Sequence, residues 1–274
     1  MKSELPGVMP LRRAIVPVRW RLRRNGLGLL LGVGFLCLLL AAWELAGAAH
    51  LVDVRFASSP SRVLATGADM LRDGEMWRHV LASGKIFVVG YLLAVAAGVP
   101  AGIALGWFST VRLALSPIVA ALNAMPRIAL MPLFIIWFGL GLGAKVALVF
   151  MSAVIPIVIN MQMAMRNVDP DLIRVAKAYG ANRRQIFRTV ALPMSVPFLI
   201  TALQIATGRA LLGVVVAEVF GGSQGLGYLI QYAGATFQTD KVFVCVALIA
   251  AFGIAMDRLL TSASRRFDAW RGSA

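Results

Sequence analysis

Two arginines stand where charge is expensive. Arg127 and Arg209 fall near the middles of long apolar runs, with Asn123 just before the first and Gln204 and Glu218 on the run that carries the second. A charge inside a membrane-crossing helix costs at least about 2.5–3.5 kcal/mol on insertion scales, so it marks a path, a cavity or a partner. Together the two give a path through the apolar runs a positive potential suited to small anions. The alternative is a structural arginine bonded to carbonyls freed where a helix breaks. Glu218 lies nine residues after Arg209, on nearly the opposite helix face, which argues against a local salt bridge between them.

Other chemistry finds no support. A phosphate-cradling loop needs Gly, four residues, then Gly-Lys-Ser/Thr. The nearest stretch, Gly139-Leu140-Gly141-Leu142-Gly143-Ala144-Lys145, lacks that ending and reads as a tight turn. No Ser/His/Asp arrangement or paired-carboxylate site is apparent, so the expectation is a non-catalytic chain with no catalytic residues. His50 and His79 have no second ligand at metal spacing, so no metal site is expected. Cys37 and Cys245 sit inside apolar runs and read as inert packing residues.

The elements that position these residues follow from composition. The chain is 59% hydrophobic and 14% charged, against about 25% charged in a soluble domain. The apolar residues gather into runs near the roughly 20 residues that cross a bilayer as helix. The fold class is therefore an all-α membrane protein with about six transmembrane helices. A basic arm (1–25) precedes a first transmembrane helix (26–49), which exceeds the ~7–15 apolar residues of a signal peptide and reads as retained. An external segment (50–73) with a short helix leads to a core (74–262) and a tail (263–274). Within the core, spans are expected at about 83–107, 115–138, 145–165, 197–219 and 241–262.

The net charge of +15 raises nucleic acid as a partner, but the basic residues lie between and outside the runs rather than on one face. Basic arm, 108–114 loop, 166–196 loop and tail alternate onto one side, which the positive-inside rule makes cytoplasmic, together with both termini. In the second span Gly90, Ala94, Gly98, Gly102 and Gly106 recur every fourth residue, a face for close helix packing within the chain or against a second subunit.

The 166–196 loop is long and patterned. Asp169 reads as an N-cap, Pro170 as the first helical residue, and Asp171 suits the positive helix end. Leu172, Val175, Ala176 and Tyr179 follow at helical spacing, and Gly180 can end the helix. Asn182 can cap a second helix with Ile186, Phe187 and Val190 on one side and Arg183, Arg184 and Arg188 on the other. Leu192-Pro193 then closes it. Such a bent amphipathic pair suits either a lipid surface or a plug for a cytoplasmic partner.

The stretch Arg174-Val175-Ala176-Lys177-Ala178-Tyr179-Gly180, nine residues, then Val190-Ala191-Leu192-Pro193, resembles the cytoplasmic "EAA" motif of ABC importer permeases. Ala176, Gly180, Leu192 and Pro193 match in register; Val190 is conservative, and Arg174 and Val175 depart, Arg174 with a reversed charge. Pro126-Arg127-Ile128-Ala129-Leu130-Met131-Pro132-Leu133, Trp137-Phe138-Gly139, Val216-Ala217-Glu218 and Gly225-Leu226-Gly227-Tyr228-Leu229-Ile230 resemble the nitrate, aliphatic sulfonate and taurine group, which includes relatives handling vitamin precursors.

The resemblance implies a type I ABC importer permease in the bacterial inner membrane, paired as a homodimer. It implies two cytoplasmic ATP-binding subunits, an external solute-binding protein, and no nucleic acid. ATP and Mg would belong to the ATPase, leaving no cofactor on this chain. It makes 166–196 the coupling loop that docks the ATPase, through Arg174, Ala176, Tyr179, Gly180, Ala181, Arg183, Arg184, Leu192 and Pro193. Asn123, Arg127, Gln204, Arg209 and Glu218 become expected path residues for a sulfonate, taurine or nitrate type of anion. The alternatives are a neutral vitamin precursor, a stand-alone secondary transporter, which would show internal repeats or an acidic relay, and a membrane anchor.

Overall fold

The structure, a computed structural model, describes residues 18–49 and 51–268. Arg12, Arg13, His50 and Arg271 lie outside the described residues. The chain divides into two units, 1–60 and 61–274, and no strand occurs among the described residues. In the first unit, α1 (Val18–Ala48) starts inside the expected basic arm, because Arg and Leu are good helix formers and nothing in that stretch breaks a helix. The Trp43 indole N–H donates to the Ala57 carbonyl (3.1 Å), which ties α2 (Val54–Ala57) to α1.

The second unit begins with α3 (Pro60–Arg72), α4 (Glu75–Trp107) and α5 (Ser109–Ala124), then a 3₁₀ turn (Arg127–Leu130) and α6 (Met131–Phe138). It continues with α7 (Leu142–Arg166), α8 (Pro170–Ala178), α9 (Arg183–Ile186), a π turn (Phe187–Ala191), α10 (Leu192–Gly221), α11 (Leu226–Ala235) and α12 (Thr239–Asp268). Among the described residues five helices are long and apolar enough to cross a membrane, or six if α5 and α6 count as one bent span.

The core lies where α4 and α10 flank α7, around Phe87, Leu105, Val149, Ile157, Met161 and Val214. The glycine face of α4 explains how close that contact is. A Cβ built on Gly90 would lie 2.7 Å from Val149, on Gly98 2.9 Å from Ile157, on Gly102 2.5 Å from Met161 and on Gly106 2.4 Å from Met165. Both series advance together along the chain, so α4 and α7 run parallel in register, and the small-residue face packs within the subunit. Without a hydrophobic drive between helices in lipid, such close backbone approach supplies the packing energy. Gly102→Leu should therefore destabilise the fold by at least the ~1–3 kcal/mol of an overpacked core. Gly84→Ala, whose Cβ meets nothing within 4 Å, should be neutral or slightly stabilising. Melting in detergent checks both, and an unchanged Gly102→Leu midpoint would refute the packing argument.

The expected straight span at 115–138 is instead bent by 93° between α5 and the turn that starts at Arg127. Met125 (ψ 132°) and Pro126 (ψ 100°) are both extended. A residue before proline is pushed out of the helical region, and Pro126 cannot donate the bond that would continue α5. A second correction concerns Leu192-Pro193, which does not close the second loop helix. The chain stays helical through the π turn into α10, with Pro193 in its first turn. The wider turn sits where Pro193 lacks the N–H that a regular helix would direct at residue 189.

Polar contacts join the remaining helices. Tyr91 donates to the Leu203 carbonyl (2.9 Å) and Thr207 to Tyr91 (3.2 Å), linking α4 to α10. At the end where α4 begins, Lys241 pairs with Glu75 (3.0 Å) and Arg62 with Asp240 (2.9 Å).

Candidate functional site

The 166–196 loop is built by its caps. The Asp169 carboxylate accepts from the Asp171 N–H (2.8 Å) with Pro170 opening α8. Asn182 accepts from the Gln185 N–H (2.9 Å) while the Gln185 side chain accepts from the Asn182 N–H (2.8 Å), a reciprocal capping box. Between them the Gly180 N–H donates to the Lys177 carbonyl (2.9 Å) and the Ala181 N–H to the Ala176 carbonyl (3.0 Å), with Gly180 at φ +78°. That is the Schellman arrangement, in which the third residue from the helix end and the left-handed residue after it are four apart. The spacing of Ala176 and Gly180 thus has a backbone cause.

The loop is anchored on one side and bare on the other. Ile173, Phe187 and Val190 pack with buried Met165, Val168 and Ala191 against Ile103 and Trp107. The Arg183 guanidinium lies over the Trp107 ring (5.7 Å) and donates to the Trp107 carbonyl (3.4 Å), so it holds the loop to the end of α4. Arg184 lines the shallow aromatic pocket beside it, and Arg174 pairs with Asp171 on the loop surface. Leu192 and Pro193 sit exposed at the start of α10. Leu172, Val175 and Tyr179, three and four residues apart, form an uncovered apolar stripe, and Tyr179 is 88% exposed.

The expected path residues separate into two groups. Asn123, Arg127 and Arg209 line one cavity of about 270 Å³, brought together because the proline break turns Arg127 toward the middle of α10. Asn123 accepts from an Arg127 terminal nitrogen (3.3 Å), while the buried Arg127 Nε has no hydrogen-bond partner. No carboxylate lines the cavity, and Arg209 has no hydrogen bond or ion pair among the described residues. Among the described residues neither arginine bonds a carbonyl freed by the helix break. Arg209 and Asn123 are exposed on the single chain, so the cavity opens on the outer face of this unit.

Gln204 and Glu218 do not line this cavity and are held elsewhere. Gln204 donates to Asp257 (2.8 Å) and Thr261 (3.0 Å), a polar link between α10 and α12. Glu218 is fully buried and accepts from Ser83 (2.7 Å) and from the Gly227 N–H (2.7 Å). Ser83 in turn accepts from the Leu226 N–H (2.8 Å), and His79 Nδ1 meets Gly225 N (3.0 Å). Glu218, Ser83 and His79 therefore satisfy the open N–H groups at the start of α11. Ser83, His79 and α11 itself were not foreseen. Leu226, Leu229, Ile230 and Ala233 carry the helical spacing that would have revealed α11.

Residues 95–269 match the protein family described as binding-protein-dependent transport system inner membrane component. The chain is 32% identical to the taurine transport system permease protein TauC of Escherichia coli (strain K12), covering 93% of each chain. It is 31% identical to the putative aliphatic sulfonates transport permease protein SsuC of Bacillus subtilis (strain 168), covering 100% of this chain and 99% of that one. It is 33% identical to the riboflavin transport system permease protein RibX of Chloroflexus aurantiacus, covering 87% and 89%. Among solved structures, a chain of the inward-facing MetNI methionine ABC transporter superposes with a TM-score of 0.57 at 23% identity, covering 69% of this chain and 97% of that one. That likeness bears on the fold.

Proposed function

The chain belongs to the family of binding-protein-dependent transport system inner membrane components, and on that premise we propose that it forms the translocation path for a small sulfonate-type anion. A separate ATPase, holding ATP and its Mg²⁺, drives the cycle, and an external binding protein delivers the solute. The 166–196 loop and both termini face the cytoplasm, consistent with the basic residues of that loop.

The observation that carries the reading is the bare stripe of Leu172, Val175 and Tyr179 on a capped, rigidly anchored loop. An apolar stripe presented at a fixed angle is the helix half of a helix-in-groove contact. Arg174 already pairs with Asp171, so docking rests on this apolar stripe more than on a charged contact from position 174. Two ATPases and two copies of this chain make the assembly. Pairing is favoured by Arg209, whose charge would cost about 2.5–3.5 kcal/mol against lipid and less against a second copy enclosing a polar path.

Purification of the tagged chain from its native membrane should bring an ATPase in equal amount, read by mass spectrometry. Val175→Asp with Tyr179→Asp should reduce that band at least about tenfold, the equivalent of roughly 1.4 kcal/mol, by placing charge in the contact. A chain that purifies alone and still moves solute in liposomes would establish a secondary transporter instead. A neutral solute is a second reading, favoured by the riboflavin relative alone; the paired arginines weigh against it.

A further inference from the structure

We propose that the cavity of Asn123, Arg127 and Arg209 is an intramembrane binding site for the head group of an alkanesulfonate, selective for an apolar rather than an ammonium-bearing tail. The proposal rests on the importer reading and deepens it by naming where the solute pauses and what is recognised.

The donors are already arranged. Asn123 holds one terminal nitrogen of Arg127, which fixes the plane of that guanidinium and leaves the buried Nε without an acceptor. A buried donor left unpaired is costly, so the site is built for an acceptor that arrives. Arg209 lines the same space with no acceptor of its own among the described residues. Guanidinium forks bind oxyanions through paired, charge-assisted N–H···O bonds. Two guanidinium groups supply N–H donors for all three sulfonate oxygens, and their combined positive charge exceeds the single negative charge of the head group, so the site favours an anion.

The walls decide the tail. Leu148, Leu212 and Val216 face the cavity, and no carboxylate lines it. An ammonium group there would be desolvated beside two like charges, whereas a hydrocarbon chain gains burial. The nearest acid on α10, Glu218, is turned away and held by Ser83 and Gly227. Taurine and butanesulfonate therefore share the head-group contact and separate at the tail.

The test uses the permease–ATPase complex in lipid nanodiscs, without the binding protein, so that its selectivity does not enter. Binding of butanesulfonate, taurine and 1-butanol is measured by calorimetry. Butanesulfonate should bind at least about tenfold more tightly than taurine, and 1-butanol should not bind. Arg127→Gln and Arg209→Gln should each weaken butanesulfonate at least about tenfold, with Arg209→Lys intermediate, and the ATPase should still co-purify. Equal binding by the double Gln variant would overturn the site, and taurine binding as tightly as butanesulfonate would overturn the tail assignment. If the Gln variants fail to assemble, the wild-type comparison of butanesulfonate with 1-butanol decides the head group alone. ATP-driven uptake by the intact importer with its binding protein separates the two levels. Uptake that persists at the wild-type rate in the Gln variants ends this inference and leaves the importer reading standing, whereas a complex lacking an ATPase ends that reading itself.

Discussion

Gly180→Val should lower solute uptake at least about tenfold while the assembled complex continues to hydrolyse ATP. Gly180 sits at φ +78°, and a Cβ added there would meet nothing within 4 Å. The substitution therefore acts through the backbone alone. A left-handed conformation costs an L-residue roughly 1–2 kcal/mol, and a β-branched residue is a genuine outlier there. To escape that strain, the substituted chain would abandon the Schellman turn and release the Ala176 and Lys177 carbonyls from the N–H groups of Ala181 and of residue 180. The stripe of Leu172, Val175 and Tyr179 would then lose its fixed angle to the anchored half of the loop, which Arg183 holds on Trp107. About 1.4 kcal/mol of misplacement is a factor of ten in the correctly posed population. Gly180→Asn gives the decisive contrast, because asparagine is the one common substitute at this position of a helix end, and it should import near the wild-type rate. Normal uptake by the Val variant, or equal loss in both, would show that the bend does not transmit the ATPase motion.

The loop was the most legible part of the sequence because its caps are local. Asp169, Pro170, Gly180 and Asn182 determine their own turn geometry within a few residues, and the structure places each at the turn its chemistry suits. The glycine face of α4 was legible as a close-packing face but not as to its partner, since α7 answers it with large side chains whose own spacing carries no signal of pairing. The expected path residues were the least legible. Asn123, Arg127, Gln204, Arg209 and Glu218 look alike as polar residues in apolar runs. Only tertiary contacts separate the three that share a cavity from Gln204, which bonds across to α12, and Glu218, which bonds α11. The 93° bend that brings Arg127 to Arg209 was visible as Pro126, but a proline in a span signals a kink without its angle.

Glu218→Ala should release α11 from the bundle. The substitution leaves the Gly227 N–H and the Ser83 hydroxyl without an acceptor in a fully buried place, at about 1–3 kcal/mol for each orphaned donor and roughly 2–6 kcal/mol together. Glu218→Gln keeps one acceptor oxygen and the volume of the side chain, so it orphans one donor rather than two and should cost about half as much. Gly225 makes the same contact testable from the other side. It stands at φ +119°, and a Cβ there would lie 2.2 Å from the Glu218 carboxylate carbon. Gly225→Ala should therefore be as damaging as Glu218→Ala, and the double variant should be less damaging than the sum, because each change destroys the contact that the other depends on.

A reporter for the displacement is already present. Cys245 is fully buried and packs with Leu226 and Leu229 of α11. In a Cys37→Ala background, maleimide should label Cys245 slowly in the parent and at least about tenfold faster in Glu218→Ala, with Glu218→Gln in between. Unchanged labelling in Glu218→Ala would mean that the apolar cluster alone holds α11, and that the buried carboxylate is there for another reason.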